Sequence, residues 1–195
     1  MAGRRSKESL ADGRERRGAI DDPAVVLEAA ARFLEVRPRS VAEVRRRLGR
    51  AGYRPDLIEG AVARLTELGM LDDASFGRAW VESRDRARPR GEIALRRELA
   101  LKGVDRTIVD DLLARRRDGD GLDRAGGDPD LAGAHRLLTR NERALGRVSD
   151  PRQRRRRAYA LLARNGFDPE TCREASAALV ATNEVGAEPA VDDET

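Results

Sequence analysis

The sequence predicts an all-α protein built from three tandem three-helix repeats. Of its 195 residues, 30 are Ala and 21 are Leu, against only 13 Val and 4 Ile. Ala and Leu favour helices, whereas β-branched residues favour strands. Charged residues make up 38% of the chain, so the apolar core is thin, and small stacked repeats suit that composition better than one large globule. We therefore expect helices and no strand.

An internal repeat defines pairs of helices. Each copy has a Leu, three further residues, a Gly and then a large apolar side chain. The three copies are Leu48 to Tyr53, Leu99 to Val104 and Leu162 to Phe167. A Gly can adopt the left-handed conformation that ends a helix, and the apolar residue after it packs back on the last turn. The pattern therefore predicts helix, Gly turn, helix in each copy.

Capping residues mark where helices begin. Asp-Pro occurs at 22–23, 128–129, 150–151 and 168–169, and each Asp can cap a helix whose first residue is Pro. Ser40 and Glu43 have the spacing of a capping box. A further helix is expected before each pair, which makes nine helices. In the second repeat, the apolar stripe of that helix is predicted to be Phe76, Ala79, Trp80, Ser83 and Ala87.

Composition divides the chain into six segments. The first mixes Gly, Arg and Ser without apolar periodicity and the last is acidic, so both are predicted to be disordered tails. A Gly/Asp-rich stretch predicts a flexible acidic linker. The segments are a tail over 1–22, repeats over 23–73 and 74–117, the linker over 118–127, a third repeat over 128–182 and an acidic tail over 183–195.

Residues suited to catalysis or cofactor binding are scarce. One Cys and one His cannot form a zinc site, which needs about four such ligands. Cys172 holds an apolar position of the repeat, and His135 has no obvious nucleophile near it. Asp72 and Asp73 suit a helix N-cap better than a metal site. We expect no enzyme activity and no cofactor. The absence of an apolar membrane span or signal segment predicts a cytoplasmic protein.

The net charge of +4 conceals two basic segments. Net charge is +5 over residues 74–117 and +6 over 131–180, against −4 over 118–130 and −5 over 181–195. Arg96 and Arg97 repeat Arg45 and Arg46 in register, and a repeated row of cations suits a phosphate backbone or an acidic protein groove. The run 154–157 circles its helix, so its four arginines cannot all face one partner. The predicted contact residues are Arg84, Arg88, Arg90, Arg96, Arg97 and Lys102.

The central part of this pattern resembles a known family. Residues Leu68 to Arg84, followed by Arg90 to Val104, are similar to the central signature of the RecX family of bacterial recombination regulators. The segments Arg37 to Tyr53 and Leu161 to Phe167 are similar to the family's first and third repeats. The resemblance covers residues 23–180, and the central segment is its most specific part. Asn165 stands where many family members carry a basic residue.

The resemblance implies an elongated, curved, monomeric protein that binds the RecA recombinase filament on single-stranded DNA. It also implies inhibition of the filament's ATP hydrolysis, strand exchange and co-protease activity in recombination and DNA repair. Weak direct binding to DNA is a further expectation. Two alternatives stay open from the residues alone. One is a DNA-binding protein made of tandem helix-turn-helix units, and the other is a passive helical scaffold.

Overall fold

A computed structural model describes residues 12–119 and 127–185, with side chains up to 179. These residues form eleven helices and no strand, so the all-α prediction is confirmed. The first helix, α1, covers residues 12–18. The others are α2 (Pro23–Glu35), α3 (Val41–Ala51), α4 (Pro55–Glu67), α5 (Asp73–Ala87), α6 (Glu92–Lys102), α7 (Arg106–Arg117), α8 (Pro129–Arg140), α9 (Glu142–Gly146), α10 (Pro151–Arg164) and α11 (Pro169–Val185).

The predicted helix starts are confirmed. Asp22, Asp128, Asp150 and Asp168 each accept a hydrogen bond from a backbone N–H two residues later. Ser40 and the N3 residue of its helix form the complete capping box. These caps satisfy N–H groups that have no partner inside the helix, so the Asp-Pro and Ser-x-x-Glu signals were sufficient to position five of the helices.

The predicted Gly turns are also confirmed. Gly52, Gly103 and Gly166 have φ of 101°, 78° and 79°, in the left-handed region. The residue after each Gly donates its backbone N–H to the carbonyl of the repeat's Leu, at 3.1–3.4 Å. This is the hydrogen bond of a Schellman-type helix end.

Two compact units divide the chain. Within the described part of the chain, residues 12–79 and 99–110 form the first unit. Its core lies among α2, α3 and α4, where Val26, Val44, Leu48 and Leu65 are almost fully buried. Along each helix these apolar side chains alternate with Arg and Glu, so one face of the helix is buried and the other is exposed to solvent.

Of the described residues, 80–98, 111–119 and 127–185 form the second unit. Its apolar cluster joins α8, α9, α10 and α11 and includes Leu138, Leu162, Phe167 and Cys172. The thiol of Cys172 is fully buried and donates to the carbonyl of Phe167 at 3.5 Å. Burial raises the pKa of this thiol. The prediction that Cys172 is a packed residue is therefore confirmed.

Three details differ from the sequence-based expectation. Residues 12–18 are helical within the predicted disordered tail, because Ile20 packs on the first core and Arg17 donates to the carbonyl of Ala51 at 2.7 Å. The described part of the chain has eleven helices, not nine, since α1 is added and Asn141 interrupts the helix that we expected to be continuous, producing α9.

The third difference concerns the buried face of α5. Phe76 is buried and Trp80 half-buried as predicted, but Ala79, Ser83 and Ala87 are exposed. Val81 is buried instead, at 7% exposure. Small side chains at positions 79, 83 and 87 carry little apolar area, so they did not determine the orientation of the helix.

The predicted tails and linker fall largely outside the described residues. Residues 1–11, 120–126 and 186–195 are not described, whereas 183–185 belong to α11. No helix among the described residues has the length and apolar character needed to cross a lipid bilayer.

Candidate interaction site

Two of the predicted contact residues are held by one carboxylate. Glu98 accepts hydrogen bonds from Nε of Arg84 at 2.7 Å and from Nε1 of Trp80 at 2.8 Å. Nε of Arg90 lies 3.4 Å from the other carboxylate oxygen of Glu98. The guanidinium of Arg84 also stacks over the Trp80 ring, 4.2 Å from the ring centroid. Arg84 and Arg90 are therefore largely neutralised within the second unit.

Arg96 is paired as well. It lies 3.0 Å from Glu92, which also binds Arg117. Burial acts to raise the pKa of the Glu92 carboxyl, but the hydrogen bonds from Arg117 and Arg96 outweigh it and lower the pKa. In the first unit, Arg45 likewise pairs with Glu59 at 2.6 Å. The in-register arginines 45 and 96 thus each have their own carboxylate, which weakens the hypothesis of a row of unpaired cations.

Lys102 lies at a contact between helices within the first unit, and we call such a contact a joint. Its Nζ lies 2.8 Å from Glu43, and its backbone carbonyl accepts from the hydroxyl of Ser40 at 2.6 Å. Next to this pair, the backbone N–H of Val41 donates to Oδ1 of Asp73 at 2.9 Å. The start of α3 is thereby bound both to the end of α6 and to the start of α5. Lys102 has a structural role that its position in a basic segment did not reveal.

Arg88 and Arg97 are the remaining predicted contact residues. Both side chains are exposed, and neither forms a hydrogen bond or ion pair with any described residue. On α6, Ile93 lies four residues before Arg97 and is 56% exposed. Residues four apart share a helix face, so the second unit presents an apolar and a cationic side chain together.

A second joint ties the start of α6 to the end of α10 within the second unit. The N–H groups of Gly91 and Ile93 donate to the carbonyls of Asn165 and Gly166, at 3.1 and 3.2 Å. The side-chain oxygen of Asn165 accepts from Arg90. Asn165 is thus a polar connection inside this unit. Its neutral amide suits that position, where a basic side chain could not accept from Arg90.

Among the described side chains of the second unit, the most deeply buried charged one is that of Arg116. Its guanidinium makes two hydrogen bonds of 2.9 Å to Asp85 and one of 2.6 Å to Asp130. The side chain is only 5% exposed. Burial acts to lower the pKa of Arg116, but the two carboxylates outweigh it and raise the pKa. Burial raises the pKa of Asp130, although this carboxylate also accepts from the N–H of Glu92 at 2.8 Å.

Sequence reasoning underestimated the arginines of α10. Arg154 turns inward and donates to the carbonyl of Val148 at 3.0 Å. The others are exposed and have no partner among the described residues; they are Arg152, Arg155, Arg156, Arg157 and Arg164. A sequence signal for them does exist, because residues 151–167 contain no Asp or Glu. Four of these arginines have no acid three or four residues away, and Asp168, four residues after Arg164, lies beyond the end of α10, so none has a partner within its own helix.

The residues considered for catalysis or metal binding have ordinary structural roles. Asp72 caps α5 by accepting from the N–H groups of Ala74 and Ser75 at 2.9 and 3.2 Å. Its pKa is lowered by hydrogen bonds from Ser75 and Ala74. His135 is exposed. Within 12–119 and 127–185, no group of three or more His, Cys, Asp or Glu side chains could hold a metal ion.

Repeated helix, Gly turn, helix pairs define a tandem helical-repeat protein that presents exposed cations. Residues 27–65 match the family model for the RecX first three-helix domain, and residues 72–113 match the one for the RecX second three-helix domain. The regulatory protein RecX of Chlorobium phaeobacteroides is 33% identical over 156 residues, which cover 80% of this chain and 94% of that protein. The chain belongs to the RecX family of regulatory proteins.

Other relatives and solved structures agree. The regulatory protein RecX of Mycobacterium avium is 34% identical over 154 residues, covering 78% of this chain and 84% of the relative. The crystal structure of RecX from Lactobacillus salivarius superposes with a TM-score of 0.68 over 82% of this chain and 97% of that one, at 19% identity. A second crystal structure of a regulatory protein RecX gives a TM-score of 0.65 at 16% identity, over 80% and 71% of the two chains. These structures share the fold.

Proposed function

We propose that this protein binds the RecA recombinase filament on single-stranded DNA and inhibits its ATPase, strand-exchange and co-protease activities in the bacterial cytoplasm. Membership of a family of regulatory proteins supports a binding role in which the chain acts on another macromolecule. Recombination and DNA repair are the processes that this role would control.

The observation that carries the proposal is the exposed face of α6 in the second unit. Ile93 is 56% exposed and Arg97 is exposed without an ion pair among the described residues. Protein interfaces combine buried apolar contacts with Arg, which is enriched in them. An acidic groove on a protein partner would bury Ile93 and provide the carboxylate that Arg97 lacks.

A RecA ATPase assay on single-stranded DNA tests the proposal. We expect hydrolysis to fall as the full chain is added. Exchanging Arg88 and Arg97 together for Gln should weaken inhibition by about 100-fold, since each contact to a charged group contributes about 1.5 kcal/mol or more. Exchanging Arg32 and Arg64 for Gln removes the same charge from exposed positions already paired with Glu28 and Glu67. This control should inhibit as the parent does.

Unchanged hydrolysis at saturating concentrations of the protein would contradict the proposal. The tandem helix-turn-helix alternative has a distinct signature in a gel-shift experiment. Tight binding to naked duplex DNA that depends on its sequence would support that alternative, because sequence is read through base contacts. Firm binding to RecA-coated DNA, with weak and salt-sensitive binding to naked DNA, would support the filament regulator.

A further inference from the structure

The strongest concentration of unpaired charge lies on α10 of the second unit. Five exposed arginines of this helix have no carboxylate partner among the described residues. The two nearest acids in sequence are already used, because Asp150 accepts from the N–H of Arg152, and Asp168 accepts from the N–H and hydroxyl groups of Thr171. Neither carboxylate forms an ion pair with α10.

Four of these arginines share the face of α10 that points away from the core. Ala158 and Leu162 are fully buried and define the inner face of the helix. At 3.6 residues per turn, the four arginines lie within an arc of about 140° opposite that face. They are Arg152, Arg156, Arg157 and Arg164, and we call them the α10 arginine face. It extends about 18 Å along the helix, from the rise of about 1.5 Å per residue.

The surface of α10 presents arginines, which are common in protein interfaces, but it lacks the large exposed apolar side chains that form the core of such an interface. The large exposed apolar side chains of the described residues lie on other elements, and none is on α10. Gln153, Ala160 and Ala163 are the neutral residues between the arginines on this face, and none of them is a large apolar side chain. Stable protein interfaces need a desolvated core of large side chains, whereas contacts to a phosphate backbone need only donors and positive charge.

We propose that the α10 arginine face binds the phosphate backbone of nucleic acid directly. Guanidinium groups match phosphate oxygens in charge and in bidentate geometry. Tyr159, the one aromatic residue of α10, borders this face but is half-buried against the core, so recognition is by charge and not by base stacking. Binding is therefore independent of the nucleotide sequence, because phosphates are the same at every position. It depends strongly on salt concentration, because each neutralised phosphate releases condensed counterions.

This inference deepens the proposed function and rests on it for the biological setting. In that setting, the exposed Ile93 and Arg97 contact protein, while the α10 arginine face contacts the DNA strand of the same filament. Several weak contacts made by one chain add through effective concentration. Arg84, Arg90 and Arg96, which were predicted to contact an acidic groove or DNA phosphates, are paired with Glu98 and Glu92 within the chain.

Fluorescence anisotropy with a labelled single-stranded poly(dT) oligonucleotide, without RecA, tests the inference. The variant carries Arg152→Gln, Arg156→Gln and Arg157→Gln in the full chain. Gln is close to Arg in helix propensity, and circular dichroism and thermal unfolding verify that the fold is kept. We expect binding roughly 10- to 100-fold weaker at low salt, and a slope of log K against log salt reduced by about 2, from about 0.7 per lost phosphate contact.

The matched control carries Arg32→Gln, Arg45→Gln and Arg64→Gln. These exposed arginines are paired with Glu28, Glu59 and Glu67, and their exchange changes the net charge by the same amount. This control should bind DNA within about threefold of the parent, with nearly the parent's salt slope. Equal losses in the two variants would mean that total charge governs binding, and would overturn the inference.

Unchanged DNA binding by the α10 variant would also overturn the inference. If that variant kept its DNA binding but lost its affinity for the RecA filament, the face would be assigned to an acidic protein surface. Because DNA binding is measured without RecA, failure here leaves the ATPase test of the proposed function standing. Failure of ATPase inhibition, with DNA binding intact, would contradict only the proposed function.

Discussion

The backbone N–H of Val41 donates to the carboxylate of Asp73 at 2.9 Å. An acid at the start of α5 thus provides the acceptor for an N–H group at the start of α3, which has no partner within its own helix. The same relationship occurs 51 residues later, where the N–H of Glu92 donates to Asp130 at 2.8 Å. Asp130 lies at the start of α8. The internal repeat therefore includes this contact as well as the similar helices, because in both places an N–H at the start of one helix donates to an acid at the start of a later helix.

Removal of the Asp73 carboxylate should destabilise the protein. Asp73→Ala leaves the Val41 N–H without its acceptor, and we expect the free energy of unfolding to fall by about 1–2 kcal/mol. Urea unfolding followed by circular dichroism provides the measurement. Asp73→Asn is the matched control, because its amide oxygen can still accept, and it should stay within about 0.5 kcal/mol of the parent. If Asn and Ala cost the same, the hydrogen bond is not the cause.

The Gly166 turn should be more sensitive to Ala than an unobstructed Gly turn. A Cβ at Gly166 would lie 2.3 Å from Cβ of Ala94, whereas Gly69, also left-handed at φ 68°, has no atom within 4 Å of such a Cβ. Gly69→Ala should cost about 1 kcal/mol from backbone strain alone. Gly166→Ala should cost about 1–3 kcal/mol more, because it also creates a steric overlap.

Thermal and urea unfolding of these two Ala variants compare the strain with the overlap directly. Equal destabilisation would show that α6 can move away from the Gly166 turn at little cost. That result would mean that the joint at Asn165 and Gly166 is loosely packed in solution.

Arg116 and Arg117 are adjacent, yet their replacement should have very different effects. Arg116→Ala leaves Asp85 and Asp130 without their buried cation, and we expect a loss of about 3–5 kcal/mol in the free energy of unfolding. Arg117 is 54% exposed and pairs with Glu92 at the surface, so Arg117→Ala should cost no more than about 1 kcal/mol. Urea unfolding of both variants measures the difference, and similar values would refute the assignment of Arg116 as a buried ion-pair centre.

Low pH should weaken the contact between the Glu43 carboxylate and Lys102. Burial acts to raise the pKa of this carboxyl, but hydrogen bonds from Lys102 and from the Ser40 N–H outweigh it and lower the pKa below its usual 4.5. The folded state therefore binds this proton less tightly than the unfolded state does. The stabilisation is complete above about pH 4.5 and is lost as the pH falls through the lower, folded-state pKa.

Glu43→Gln tests this pH dependence. The difference in unfolding free energy between parent and variant should be largest near neutral pH and should shrink below about pH 4.5. Urea unfolding at several pH values between about 3 and 7 measures it. Lys102→Met should abolish part of the same dependence, because it removes the main partner of the carboxylate. A difference that stays constant with pH would exclude a lowered pKa at Glu43.

Much of the fold could be predicted because its signals are local. The caps at Asp22, Ser40 and Asp168 act over two or three residues, and the Gly52 turn acts over about five. Such signals can be read directly from the order of residues. The helix α9 and the buried face of α5 were missed, because Asn141 and the Ala residues of α5 carry only weak local preferences.

Which of the candidate contact residues have a partner within the chain could not be predicted from the sequence. Net charge located basic segments but could not separate Arg97, which has no partner among the described residues, from Arg84, which is bound to Glu98. The run in α10 was discounted because its arginines circle the helix, yet only Arg154 turns inward. The shortage of acids between 151 and 167 was the signal that distinguishes this helix.

The sequence by itself determined the helical class, the Gly turns, the capped helix starts and the resemblance to the RecX family, since these depend on neighbouring residues and on motif order. Tertiary structure decided which charges are available to a partner. Glu43 and Lys102 are 59 residues apart, and Arg90 and Asn165 are 75 apart. Ion pairs and hydrogen bonds over such separations form only when packing brings helices together, so the residues left unpaired could be identified only in the folded chain.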